Sequence, residues 1–296
     1  MQPVGPSGYR VGMSSAAFLY TSPDRVLYRG PLGQPRPRVF GAWVVYVGLR
    51  GRLRWRVLEG APSALAGEGE GEMLRLPPGV GHHIAVDRGP VLCYLVEPEF
   101  AAWSDPLSGL SGLSEEGEEG LMPTGVGNGE VWRERLLTLS GGDLARWQTA
   151  PHLRTPGLDA ELDRLVLGQP WPSRTLDARI GAVVERVRAD PALPWQAAEA
   201  AAHCGLSASR FMHLFKAEVG VGWRALRAWK RARGLLGRVH SGESLTQLAL
   251  TLGYPDATHF SHAIRQVTGL RPSDIMSGSR HLGVWSEIGV SPGAAS

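Results

Sequence analysis

His213 and Lys216 follow Phe211 by two and five positions in "GLSASRFMHLFKAEVG", and His262 and Arg265 follow Phe260 by the same steps in "GYPDATHFSHAIRQVTG". Phe215 and Gly220 of the first stretch likewise match Ile264 and Gly269 of the second, so every pair is offset by 49 positions. An imidazole offers one hydrogen-bond donor or acceptor when neutral, and Lys or Arg offers a cation to phosphate. That is recognition chemistry. Catalytic chemistry has less support, because no Ser or Cys stands in an elbow or paired motif. Metal chemistry has little more: the adjacent His82 and His83 cannot complete a facial site, and the strand region "VFGAWVVYVGLRG" supplies no further His. No metal and no cofactor is expected.

The elements that carry these side chains are read as helices. Phe211, Leu214, Phe215 and Val219 take one face at helical spacing, while Ser209, Met212, His213 and Lys216 take the other. The second stretch separates in the same way, with Phe260, Ala263, Ile264 and Val267 inward and Thr258, Ser261, His262 and Arg265 outward. A short apolar helix and a Gly-containing turn precede each, which is the helix-turn-helix arrangement. Periodicity alone equally allows two helical hairpins in a bundle. Between the repeats, Trp223 to Val239 reads as one helix of about 26 Å, a length able to hold two recognition helices about one turn of B-DNA apart.

Charge agrees with a polyanion partner for this half. Residues 1–173 carry 16 Arg and 19 acidic residues, and residues 174–296 carry 15 basic and 9 acidic ones. Six bases and no acid lie between Val221 and His240. The front hundred residues read as short β-strands bounded by Gly and Pro, a sandwich or small barrel. Leu53, Trp55 and Val57 alternate there with Arg52, Arg54 and Arg56. Residues 104–129, rich in Gly, Ser and Glu, read as an exposed, mobile connection. Helical stretches follow in "VWRERLLTL" and "LDAELDRLVLG", suited to packing on the β domain or to pairing with a second copy. No apolar run is long enough to span a membrane, the N-terminus lacks a signal pattern, and Cys93 and Cys204 suggest no disulfide framework, so a cytoplasmic protein is expected.

The paired motifs, with "GYPDATHFSHAIRQVTGLRPSDI" and the bridging helix, resemble the DNA-binding domain of the AraC/XylS family of bacterial transcriptional regulators over about Asp177 to Arg280. The resemblance implies double-stranded promoter DNA and RNA polymerase as partners. It carries base-facing roles to Ser209, Met212, His213, Ala257, Thr258, Ser261 and His262, and phosphate contacts to Arg210, Lys216, Arg224, Arg227 and Arg265. His213 and His262 depart from the pattern, since Arg is common there in the family. Weaker base selection and more reliance on phosphates and DNA shape follow.

The front half, through "LRLPPGVGHHIAV" and "VLCYLVEPEF", is more loosely similar to the family's cupin-like sensor domain. The expected fold is therefore α+β and multidomain: a cupin-like β-barrel in residues 1–103, a loop, helices and linker in 104–173, and an all-α double helix-turn-helix domain in 174–296. Trp43, Tyr46, Trp55 and Tyr94 are the candidate walls of a small-molecule effector pocket, with plain core packing as the alternative. Whether the front domain binds an effector, dimerises or both stays open. Two other functions stay open as well: a cupin-type metal enzyme with an appended DNA-binding domain, and a non-specific architectural DNA protein.

Overall fold

A computed structural model describes residues 17–59, 61, 65–101, 133–134, 136, 158–278 and 283–286. The 104–129 connection lies outside them. Among the described residues, nine strands lie in the front half: β1 Phe18–Thr21, β2 Arg25–Gly30, β3 Arg38–Val39, β4 Trp43–Gly48, β5 Leu53–Val57, β6 Gly67–Gly71, β7 Met73–Leu76, β8 Gly81–Val86 and β9 Val91–Val96. Helices follow: α1 Leu158–Leu167, α2 Ala178–Ala189, α3 Ala197–His203, α4 Ala208–Val219, α5 Trp223–Arg233, α6 Leu245–Thr251, α7 Ala257–Thr268 and α8 Pro272–Gly278. A last strand, β10 Gly283–Ser286, closes the described chain.

The strands make two sheets, not the closed barrel expected. One runs β10-β1-β2-β9-β4-β7 and the other β3-β8-β5-β6. The alternation in β5 does what its pattern requires: Leu53, Trp55 and Val57 are buried between the sheets, and the arginines between them are exposed. β4 and β9 are buried along both faces, which is why "WVVYVG" and "VLCYLV" are nearly continuous apolar runs. Their second face is covered by Leu162 and Val166 of α1 and by Trp171. The α1 helix is pinned there by Asp163, whose carboxylate accepts from Arg25 Nε and Nη2 at 3.0 and 2.9 Å and from the Tyr94 hydroxyl at 2.6 Å. Thus α1, read as part of a linker segment, completes the front domain's core.

Two further expectations change. The bridging helix spans Trp223–Arg233, eleven residues, and continues only as a 3-10 turn over Leu236–Arg238. At Gly234 an added Cβ would stand 2.5 Å from Leu252 Cδ2, so a side chain there would have to displace the Leu252 methyl of the second unit. The strand β10, read as part of the DNA-binding segment, pairs parallel with β1 at the edge of the six-stranded sheet.

The helices divide between two cores. The first unit packs Ile180, Val183, Val187, Phe211, Phe215, Val219 and Trp223 into a core of its own. The second unit does not, because Trp229, Leu235, Leu248, Phe260, Ile264 and Val267 are continuous with the space between the sheets.

Candidate nucleic-acid interface

The two repeats fold into matching helices. α4 and α7 each have twelve residues, and each ends on a left-handed glycine, Gly220 at φ 84° and Gly269 at φ 74°. Each begins on a side-chain cap. Ser207 accepts from the Arg210 amide, and Asp256 accepts from the Thr258 and His259 amides at 2.8 Å. The tight turns before them run through Gly205 at φ 65° and Gly253 at φ 74°. Phe211, Phe215 and Val219 are buried on α4, and Phe260, Ile264 and Val267 on α7. Leu214 and Ala263, also read as inward, are only half-buried.

On the outward faces, Ser209, Arg210, His213 and Lys216 are exposed on α4, as are Thr258 and His262 on α7. Ala257, Ser261 and Arg265 are half-buried. Met212 is half-buried as well and leans on the first unit's core. The sequence missed His259, which stands exposed beside the cap with Nδ1 2.8 Å from Asp256 Oδ2. Hydrogen bonds from the His259 amide and ring, together with the Thr258 amide, hold the Asp256 carboxyl below the usual carboxylate range.

The basic helix α5 is where the structure departs most from expectation. Arg224 is exposed, but the Arg227 guanidinium donates to the carbonyls of Leu193 and Trp195 and is not available to phosphate in this arrangement. Lys230 and Arg233 turn away from solvent altogether. Lys230 Nζ lies 2.6 Å from Glu97 Oε2 and also contacts Glu99 Oε1, while Arg233 Nε lies 2.8 Å from Glu97 Oε1. Trp229 Nε1 donates to Glu97 Oε2 at 2.9 Å, and its ring meets Phe40 edge-on at 5.8 Å. Burial raises the Glu97 carboxyl, but the adjacent Lys230 and Arg233 cations outweigh that and hold it below its ordinary value. Glu99 is pushed up by burial, with the Glu97 charge adding to the effect. The sequence carried no signal for this cluster, since Glu97 and Glu99 precede it by more than 130 positions.

The four aromatics expected to wall one pocket do not converge. Tyr46 and Trp55 lie between the sheets, and Trp43 and Tyr94 lie on the opposite face of the six-stranded sheet. Trp43 packs on Trp171 with ring centroids 6.0 Å apart, and Tyr94 is committed to Asp163. Among the described residues no group of three His, Cys, Asp or Glu could hold a metal ion, and no helix is long and apolar enough to cross a membrane. His82 is buried, with Nδ1 3.0 Å from the Val80 carbonyl and Nε2 2.9 Å from the Tyr46 hydroxyl.

Two equivalent helix-turn-helix units, each presenting a polar helix face, define a DNA-binding domain. The Helix-turn-helix domain family matches residues 200–277. Invasion protein InvF of Salmonella typhimurium is 36% identical over 69 residues, covering 23% of this chain and 32% of InvF. The chain thus spans about a third of the length of the curated relatives it matches. An apo ToxT variant from Vibrio cholerae shares the fold over 86% of this chain and 97% of its own, at 11% identity and a TM-score of 0.50. The DNA-binding domain of AdpA, solved with a target DNA, covers 35% of this chain and 95% of its own, at 16% identity and a TM-score of 0.34. The chain carries a helix-turn-helix DNA-binding domain behind a sheet-rich front domain.

Proposed function

We propose that the protein is a sequence-specific transcriptional regulator that sets α4 and α7 into successive major grooves of promoter DNA. The observation that carries this reading is the duplication itself: two helices of equal length and equal capping, each with its apolar side buried and its polar side outward. Ser209, His213, Thr258, Ser261 and His262, with Met212 and Ala257 at the rim, face base edges. Arg210, Lys216, Arg224 and Arg265 meet phosphate and supply most of the affinity and its salt dependence. RNA polymerase is the partner through which binding alters transcription, in the cytoplasm, and the front domain modulates the geometry through a small-molecule effector or a second copy. A purely architectural role fits less well. Phosphate binding alone gives no reason for two separate and differing polar helix faces.

The test is selection of genomic fragments by the full-length protein at near-physiological salt, followed by footprinting. Discrete sites protected over two adjacent major grooves are expected. His213→Ala and His262→Ala each weaken them about 5- to 100-fold, the range for loss of a base contact. Diffuse binding that neither variant changes would sink the reading.

A further inference from the structure

The segment that leads into β3 reads "QPRPRVF", and its first arginine is placed by its neighbours. Pro35 and Pro37 have φ fixed by their rings, and a residue that precedes proline is confined to extended backbone, so Arg36 has little conformational freedom. Its amide donates to the Gly269 carbonyl at 3.0 Å, where α7 ends. The approach is close: a Cβ on Gly269 would stand 2.3 Å from the Arg36 carbonyl oxygen and 3.1 Å from Pro35 Cβ. The front domain thus holds an arginine against the end of a recognition helix. The guanidinium is not used up there. Arg36 is exposed, and its side chain forms no ion pair and no hydrogen bond among the described residues. Two bases of the second unit lie close by. Arg265 stands one turn before Gly269 and Arg271 two residues after it, and neither has a side-chain partner among the described residues. Asp274, the acid nearest in sequence to this end, accepts from the Ser273 hydroxyl at 3.4 Å.

Length decides what these cations meet. The twelve residues of α7 span about 18 Å, and the major groove is about 12 Å wide. With Thr258, Ser261 and His262 at base edges, the last turn has to leave the groove over its rim, where the phosphates run. We infer that the front domain itself contacts DNA: Arg36 binds a backbone phosphate flanking the half-site of the second unit and extends the interface beyond the helix-turn-helix domain. The charge balance by halves hid this, because the front half is acidic as a whole. The inference rests on the proposed seating of α7 in the major groove. The plainer role for Arg36 is to offset the negative end of the α7 dipole. That role acts on stability and leaves the salt dependence of DNA binding alone.

The test uses the full-length protein and the sites recovered by fragment selection, with affinity read by fluorescence anisotropy between about 50 and 200 mM salt. Arg36→Gln is expected to weaken every site about three- to tenfold. It should also reduce the slope of log affinity against log salt by about 0.9, the share of one phosphate. Arg36→Lys, which keeps the cation, should restore most of both. Arg54→Gln is the control, since Arg54 is exposed on β5 with β8 between it and β3, and it should change neither. Unchanged affinity and slope in Arg36→Gln overturn the contact, and so do equal losses in Arg54→Gln. A loss of affinity with an unchanged slope assigns Arg36 to the helix end, and an effect on transcription without one on binding assigns it to a protein partner. Either result overturns the proposal. If selection returns no discrete site, the regulator reading fails. The slope on a random duplex then still decides on Arg36, because a phosphate contact carries no sequence information.

Discussion

His82 illustrates how a single side chain acquires a pH dependence from its place in the fold. It stands in β8 at the end of "PPGVGHH" as one of two neighbouring histidines, yet only His82 is fully buried. Burial pushes its pKa down from the ordinary 6.5 to about 4, the Val80 carbonyl opposing that and the Arg38 charge adding to it. The unfolded chain therefore takes up this proton before the folded one does. Its contribution to stability is complete above about pH 6.5 and is lost as pH falls toward 4, which amounts to roughly 2 kcal/mol by pH 5. Urea denaturation at pH 7.5 and pH 5 should show that loss in wild type and a visibly smaller one in His82→Gln. An identical pH slope in the two proteins would show that His82 is not the group responsible. Side-chain environment was legible in the sequence only where a period imposed it. The alternation of β5 assigned Arg52, Arg54 and Arg56 to solvent, as found. Nothing comparable separated Arg224, which is exposed, from Arg227 three residues on, whose donors are taken by the Leu193 and Trp195 carbonyls.

Among the elements, the caps of α4 and α7 were legible because a repeat constrains both copies at once. The 49-residue offset placed Gly220 and Gly269 in equivalent positions, and both have the left-handed backbone that ends a helix. Their surroundings differ. A Cβ at Gly220 meets only the Arg174 Nη1 at 4.0 Å, whereas one at Gly269 would stand 2.3 Å from the Arg36 carbonyl oxygen. Gly220→Ala should therefore cost the backbone strain alone, about 1–2 kcal/mol. Gly269→Ala must in addition displace the 35–36 segment and should cost distinctly more in chemical denaturation. Equal losses would mean that α7 does not abut that segment. The end of α5 was not legible, because "RARGLLGRV" keeps helical spacing through two glycines whose intrinsic penalty is only about 1 kcal/mol each. Gly234 keeps right-handed backbone angles, and the chain tightens beyond it into the 3-10 turn over Leu236–Arg238.

Across the whole molecule, net charge by halves is an incomplete guide to where charge is used. The excess of bases behind residue 173 suggested a polyanion partner, but Lys230 and Arg233 are consumed inside the chain by Glu97 and Glu99 of the acidic front half. This buried cluster sits where the second helix-turn-helix unit shares its core with the sheets, while the first unit keeps a separate one. The two units should therefore respond differently to damage at the cluster. Lys230→Met leaves Arg233 as the cation against two buried carboxylates, and breaking such a buried pair typically costs about 3–5 kcal/mol. In hydrogen exchange on the full chain, the amides of α6 and α7 and of β9 should lose protection in this variant. Those of α2, α3 and α4 should keep theirs, because their core contains none of the residues disturbed. Adding Glu99→Gln to Lys230→Met removes one of the uncompensated charges and should restore part of the loss. Uniform deprotection of both units would instead show that they unfold as one body, and the front domain could then hold no separate control over the second recognition helix.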